Sequence, residues 1–166
     1  MFDSPEIIKV LIDAGVDIDA RDIHGFTTLM KTNSTDVAKL LIAAGADINA
    51  FLPSSYNVLM VTKSPEIVRI LANAGANLNA QNSVGATALI ISKYIEKTKA
   101  LIECGADPFV ADIYGSNAFE YYRSKHDDDT VEINRYLEHV QLMLAANTIG
   151  PVIHDDNQDV KISRRL

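Results

Sequence analysis

Ala44-Gly45-Ala46-Asp47-Ile48-Asn49-Ala50 is the most informative stretch of this 166-residue chain, because it recurs at a fixed interval. Closely similar heptads begin at Ala14 and Ala74, and a weaker one begins at Cys104. The second residues of these heptads stand thirty residues apart and are Gly15, Gly45, Gly75 and Gly105. Self-similarity at such a period predicts a protein built from stacked units, each of which buries its apolar face on the next.

A helical pattern precedes each of these glycines. Ser4-Pro5-Glu6 and Ser64-Pro65-Glu66 are typical helix starts. Serine can cap free N–H groups, proline loses no hydrogen bond in the first turn, and glutamate faces the positive end of the helix dipole. Asn33-Ser34-Thr35-Asp36 provides an equivalent start in the second copy. Apolar residues follow at helical spacing, and we expect each helix to end at its glycine, which can adopt the left-handed conformation of a C-cap.

A shorter pattern follows each heptad. Residues 22–30 read Asp-Ile-His-Gly-Phe-Thr-Thr-Leu-Met, and residues 82–90 and 112–119 repeat the opening Asp/Asn-x-x-Gly. The remaining copy, at 52–60, has Ser55 where the others have glycine. An Asp-x-x-Gly segment followed by Thr and an apolar pair predicts a tight turn that leads into a helix.

These residues resemble the ankyrin repeat, in which a turn and two antiparallel helices precede a Gly-Ala-Asp-x-Asn-Ala loop. The resemblance covers residues 4–147 and implies an all-α solenoid of stacked helix-turn-helix units with short connecting turns or hairpins. A helical bundle also has apolar residues at helical spacing, but it gives no reason for the recurring glycine. The unit here has 30 residues rather than about 33, and the family's Thr-Pro-Leu-His reads Thr27-Thr28-Leu29-Met30. We therefore expect the first helix of each unit to be about one turn short.

The resemblance divides the chain into one domain, 1–147, and a C-terminal tail, 148–166. The domain consists of a half repeat at 1–20, repeats at 21–50, 51–80 and 81–110, and a capping unit at 111–147. In the capping unit, Asp129 and Glu132 form a capping-box pair before a helix. Its apolar stripe is formed by Ile133, Tyr136, Leu137, Val140 and Leu144.

The first unit begins at its second helix. An apolar edge therefore lacks a neighbour, and its residues are Phe2, Ile7, Ile8 and Leu11. Solenoids usually need polar capping units, because each unit buries one face on the next. Either the chain is a piece of a longer protein or something covers this edge, and self-association through it is one answer.

Composition narrows the class of protein. Hydrophobic residues make up 48% of the chain and charged residues 22%, which are globular values. The net charge of -7 disfavours binding to nucleic acid or to anionic membranes. We find neither a secretion signal nor an apolar run long enough to span a bilayer. The single cysteine, Cys104, excludes an internal disulfide and fits a reducing compartment, so we expect a cytoplasmic protein.

Most residues that could be catalytic or bind a metal recur at equivalent positions of the repeat, which indicates a structural role. Asp17, Asp47 and Asp107 share one loop position, where we expect them to bond local backbone groups. The run 126–129, His-Asp-Asp-Asp, could be a metal cluster, but neighbouring loop residues rarely converge on one ion. No phosphate-loop, hydrolase or zinc-protease motif occurs. We therefore expect a protein that is not an enzyme, with no catalytic residue, no cofactor and no metal.

The ankyrin resemblance implies a concave binding surface made of turn tips and the exposed side of the first helices. The partner-binding positions that it indicates are Ile23, His24, Phe26, Lys31, Pro53, Tyr56, Val84, Ile113, Tyr114 and Tyr121. These positions vary between copies, and several carry aromatic or branched apolar residues where a solvated turn would prefer polar ones. The alternative is that some pack on neighbouring units, above all Val61 and Ile91 on the first helices.

The sequence therefore predicts a non-catalytic module that binds a protein partner through this concave face, of adaptor, targeting or effector type. A stand-alone inhibitor or immunity protein that neutralises a toxin or an enzyme is the alternative. The net charge favours a partner with a basic or mixed surface, through long-range steering. We expect neither nucleic acid nor a membrane among the partners.

Overall fold

The secondary structure of this chain is helical, as predicted. The structure is a computed structural model that describes residues 4–125 and 128–146, with the backbone alone at 128 and 129. Its eight helices are α1 (Pro5–Asp13), α2 (Thr28–Lys31), α3 (Thr35–Ala43), α4 (Val58–Val61), α5 (Pro65–Asn73), α6 (Ile95–Glu103), α7 (Ala118–Arg123) and α8 (Asp128–Ala145). Among the described residues there is no strand, only an isolated bridge between Phe51 and Asn57. The predicted tail at 148–166 and the edge residue Phe2 lie outside the described residues.

Four long helices repeat at the predicted interval. α1, α3, α5 and α6 each have nine residues, and their first residues are thirty apart. The hydroxyls of Ser34 and Ser64 cap α3 and α5 by accepting from the N–H groups of Val37 and Ile67, at 3.3 and 3.2 Å. The predicted side-chain cap is absent at Ser4, whose hydroxyl donates to the Glu6 carboxylate at 2.6 Å.

The first helix of each unit is short. α2 and α4 have four residues each, which is one helical turn, and α7 has six. The third copy forms only a turn around residues 88–91, so the predicted helix there is absent. In its place the Tyr122 hydroxyl lies within hydrogen-bond distance of the carbonyls of Leu89 (3.1 Å) and Ser92. A side chain of the next unit thus satisfies carbonyls at this turn.

The helices pack in chain order, and one core runs through them. α1 packs on α3, α3 on α5, α5 on α6 and α6 on α8, while α2 packs on α4 and α7 on α8. The first-helix positions buried in this core are equivalent from copy to copy: Leu29, Leu59, Leu89 and Phe119. Each unit therefore buries apolar side chains against the next, rather than around a centre of its own.

Side-chain hydrogen bonds join the loops after the long helices. Asp17, Asp47, Asn77 and Asp107 accept from the N–H group two residues further on, at 2.9–3.0 Å, which confirms the predicted local role. Two positions later, Asp19, Asn49 and Asn79 accept from N–H groups of the following unit, at 47, 77 and 107. These bonds are 2.8–3.0 Å long. In the last copy this position holds Phe109, which packs on Phe119 with ring centroids 5.2 Å apart.

The long helix α8 carries the predicted apolar stripe. Ile133, Leu137 and Val140 are fully buried, and Tyr136 and Leu144 pack against the core. The opposite side exposes Glu132, Arg135 and Glu138. The predicted capping box at Asp129 involves a side chain outside the described residues. A capping box that we did not predict begins α7, where Asn117 and Glu120 each bond the other's backbone N–H.

Candidate protein-binding surface

We define the turn tips as residues 22–26, 52–56, 82–86 and 112–116, and side-chain bonds to the backbone hold the first, third and fourth of them. The Asp22 carboxylate accepts from the N–H groups of His24 (2.9 Å) and Phe26 (3.0 Å). Asn82 and Asp112 make the same pair of bonds in their own copies. Because each of these side chains fixes two N–H groups, the tip conformation is established before any partner arrives.

Adjacent turn tips also touch one another. The N–H group of Ile113 donates to the Val84 carbonyl at 3.1 Å. A Cβ atom placed on Gly85 would lie 2.8 Å from the Ile113 nitrogen, so glycine allows this close approach. The Pro53 ring lies similarly close to the first tip, at Gly25. The structure therefore brings the predicted positions together in pairs, Pro53 with the first tip and Val84 with Ile113.

Several predicted binding positions are open to solvent. Ile23 is 95% exposed, Tyr114 79% and Ile113 65%. Tyr56 and Val84 are exposed to a smaller extent, and His24 and Pro53 are exposed as well. Large apolar side chains at such exposure on fixed turns are unusual for a surface that meets only water.

Three other predicted positions are engaged within the chain. Phe26 and Tyr121 are partly buried and pack against the core, as do Val61 and Ile91, the two residues for which packing was the stated alternative. Lys31 is exposed but pairs with Asp22, Nζ to Oδ2 at 2.9 Å. This hydrogen bond is the main reason why the pKa of Asp22 falls to about 2, with the bonds from Phe26 and His24 adding to it. Phe26 and Tyr121 therefore offer only part of their rings to a partner.

Sequence reasoning overlooked a set of cations on the same units. These cations lie at or just after the ends of the first-helix segments, and all four are exposed: Lys63, Lys93, Arg123 and Lys125. A signal was present, because the first three stand thirty residues apart.

The N-terminal edge is open as predicted, with one correction. On α1, Ile7 is 54% exposed and Val10 66%, and Leu11 is also exposed. Ile8 was wrongly assigned to this edge, because its side chain is buried in the core. The equivalents of Ile7 thirty and sixty residues later are Val37 and Ile67, and both have no exposed surface. A neighbouring unit covers those two positions, and no described residue covers Ile7 to that extent.

The described residues hold no group of three or more His, Cys, Asp or Glu side chains placed to bind a metal ion. Cys104 is half-buried, and desolvation raises the pKa of its thiol. A raised pKa leaves less of the reactive thiolate. Within the same residues, every helix is too short or too polar to cross a membrane.

A scan against protein-family models finds no match to this chain, and a search of curated proteins also finds none.

Proposed function

We propose that this chain is an ankyrin-type repeat protein that binds a protein partner, without catalysis, through its turn tips and the exposed side of its first helices. The repeat assignment is supported by the thirty-residue spacing of α1, α3, α5 and α6. It is also supported by the bonds from Asp19, Asn49 and Asn79 to the loop of the next unit. On this reading, 21–50, 51–80 and 81–110 are repeats of a solenoid and 111–147 is its cap.

One observation carries the binding proposal: Ile23, Ile113 and Tyr114 are held out on turns whose backbone is already pinned. Burying a side chain of this size is worth about 1.5–3 kcal/mol. A preorganised tip also loses little conformational freedom on binding, so more of that gain becomes affinity. Aromatic anchors such as Tyr114 are the residues that most often dominate interfaces.

The partner in this proposal has a basic or mixed surface. The net charge of -7 produces a long-range field that speeds the approach of such a partner and repels nucleic acid. The role is that of an adaptor, a targeting module or an effector.

The test replaces two exposed anchors at once, Ile23→Ser with Tyr114→Ala. A partner would be captured from native lysate with the wild-type chain, identified by mass spectrometry, and purified for affinity measurements by biolayer interferometry. We expect the double variant to bind at least tenfold more weakly, because truncated anchors lose about 2 kcal/mol or more each. The melting temperature should stay within a degree or two, because neither side chain belongs to the core.

Leu142→Ser is the matched control, since Leu142 is an exposed apolar residue on α8, away from the turn tips. It should leave the affinity unchanged. The proposal is wrong if the control weakens binding as much as the double variant, or if the double variant loses stability in proportion to its loss of affinity.

We also propose that a second copy of the chain contacts the N-terminal edge formed by Ile7, Val10 and Leu11. The proposal is supported by a comparison within the chain, because a neighbouring unit covers the equivalent positions in later units.

A further inference from the structure

Exposed cations form a line along one side of three successive units. Lys63 and Lys93 each come two residues after the first-helix segment of their unit, and Arg123 and Lys125 lie at the end of α7 and just beyond it. We call Lys63, Lys93, Arg123 and Lys125 the cation row. It stands out because the chain as a whole carries a net charge of -7.

Contacts between units bring together the segments that carry the cation row. The Lys63 ammonium lies 5.7 Å from the ring centroid of Tyr94, the residue directly after Lys93. The Tyr122 hydroxyl bonds the carbonyl of Ser92, so the residues beside Arg123 and Lys93 meet as well. The stacked helices that carry the row are about 8–10 Å apart, which sets the spacing of its charges.

In the part of the chain that the structure describes, the cation row contacts neutral groups: Arg123 donates to the Gln141 amide oxygen at 3.4 Å, and the Lys125 ammonium lies 5.1 Å from the Tyr121 ring centroid. None of its four members takes part in an ion pair there, whereas Lys31, Lys39, Arg69 and Lys99 each pair with an acid. Three described acids that lie three residues from a member of the row make other contacts. Glu66 accepts from the Ser64 hydroxyl at 2.7 Å, Glu96 from Lys99 at 2.9 Å, and Glu120 from the Asn117 N–H group at 3.0 Å.

The row lies close to the turn tips because the first helices are so short. The four residues of α4 span only about 6 Å along the helix axis. About one helical turn therefore separates the cation row from the turn tips, where Tyr56, Val84 and Tyr114 are exposed.

We propose that the cation row binds an acidic, extended segment of the protein partner, with carboxylates facing Lys63, Lys93 and Arg123 and with apolar side chains of the same segment on the turn tips. This inference rests on the proposed function and narrows it, since the partner surface must be mixed rather than uniformly basic. A polyproline II segment has three residues per turn and a rise of about 3.1 Å, so every third side chain points the same way about 9 Å apart. That repeat matches the spacing of the row. In a β-strand, by contrast, side chains three residues apart point to opposite faces.

The test uses random dodecapeptides displayed on phage and selected against the immobilised full chain. The same library is selected against Lys63→Gln/Lys93→Gln/Arg123→Gln and against a control, Lys9→Gln/Lys39→Gln/Arg135→Gln. Both triple variants replace two lysines and one arginine, so they change the net charge equally, but Lys9, Lys39 and Arg135 are exposed on other helices, α1, α3 and α8. Thermal unfolding of all three proteins establishes that they are folded.

We expect peptides selected on the wild type and on the control to be enriched in Asp and Glu three residues apart. A synthetic peptide with the selected consensus should bind the row variant about tenfold more weakly than the control, by fluorescence anisotropy. Its affinity for the wild type should fall as salt is raised, because exposed charges are screened.

The inference is overturned if the selected peptides show no acidic spacing, if no peptide is selected, or if both triple variants lose affinity equally. It is also overturned if a single-stranded oligonucleotide displaces the peptide at lower concentration than the peptide's own unlabelled form, since the row would then be a phosphate site. Selected peptides could instead lack acids and bind Ile23→Ser/Tyr114→Ala more weakly than the wild type. That result would refute the proposed acidic segment, but it would still support the proposed function. Acidic peptides whose affinity falls in the row variant but not in Ile23→Ser/Tyr114→Ala would refute the proposed contact with the turn tips.

Discussion

Ser55 shows how one residue departs from the repeat at a cost in stability. It has φ of +63° and, among the described residues, is the only one other than glycine in the left-handed region. The other three turn tips have glycine at this position. An L-residue in this conformation costs about 1–2 kcal/mol, whereas glycine costs about 0.5–1 kcal/mol in unfolded-state entropy.

We therefore expect Ser55→Gly to raise the free energy of unfolding by about 0.5–1 kcal/mol, measured by urea denaturation. Ser54→Gly is the control, since the neighbouring serine is exposed on the same turn but has no positive φ. The control should be neutral or destabilising. Equal stabilisation by both substitutions would show that strain at Ser55 is not the cause.

The sequence largely predicted which residues form the turn tips, but it did not predict how exposed each side chain is. The Asp-x-x-Gly pattern correctly predicted tight turns, because the bonds from Asp22 and Asp112 are local. Ile23 and Phe26 are three residues apart in one turn, yet Ile23 is almost fully exposed and Phe26 packs on the core. Local sequence does not determine on which side of the turn the next unit lies.

At the scale of elements, α6 carries a charged residue at a core position where α3 and α5 have apolar residues. Lys97 stands where the other helices have Val37 and Ile67, and it is equally buried. Its ammonium donates to the carbonyl of Met60, near the C-terminal end of α4, at 3.1 Å. Desolvation lowers the pKa of Lys97 from 10.5 to about 8. A buried cation thus links a long helix to the short helix of the preceding unit.

The lowered pKa makes stability depend on pH. Below pH 8 the lysine is protonated in both the folded and the unfolded chain, and the full cost of burying the charge is present. Between about pH 8 and pH 10.5 the unfolded chain holds a proton that the folded chain has lost, so stability rises with pH.

Lys97→Met should abolish this rise. At pH 7 we expect the variant to be more stable by about 1–3 kcal/mol, since the desolvation cost disappears while one hydrogen bond is lost. Urea denaturation at pH 7, 8 and 9.5 measures both effects. Lys9→Met is the control on an exposed site of α1 and should change neither. A wild-type chain that gains no stability over this range relative to Lys97→Met would refute the explanation.

Helix starts and ends were predictable because caps are local. Ser34, Ser64 and the glycines after the long helices acted as expected. The turn that replaces a helix at 88–91 was not predictable. Its carbonyls at Leu89 and Ser92 accept hydrogen bonds from Tyr122, which is at least thirty residues away in the sequence. The bonds of Asp19, Asn49 and Asn79 also join residues 28 apart, although their recurrence was visible in the sequence.

For the whole molecule, the exposed face of α1 leads to a prediction about assembly. Ile7, Val10 and Leu11 present apolar surface where later units are covered. We expect the chain to self-associate with increasing concentration in sedimentation velocity experiments, because burying this surface is favourable.

Val10→Glu should weaken that association, because it places a charge in the contact. Val131→Glu makes the same change of charge on α8, where Val131 is also exposed, and should leave association intact. A wild-type chain that stays monomeric at all concentrations would refute the contact, as would equal effects of both substitutions.

Short-range rules were sufficient to predict the all-α class, most helix limits and the turns, because caps, glycine conformations and side-chain bonds within a turn act over a few residues. Contacts between units determined the rest. They buried Ile8 beside an exposed Ile7, drew Phe26 and Tyr121 against the core, and left Lys63 and Lys93 in line without a partner acid among the described residues. Burial and charge pairing depend on what the neighbouring unit places opposite a side chain, and that neighbour is about thirty residues away in the sequence.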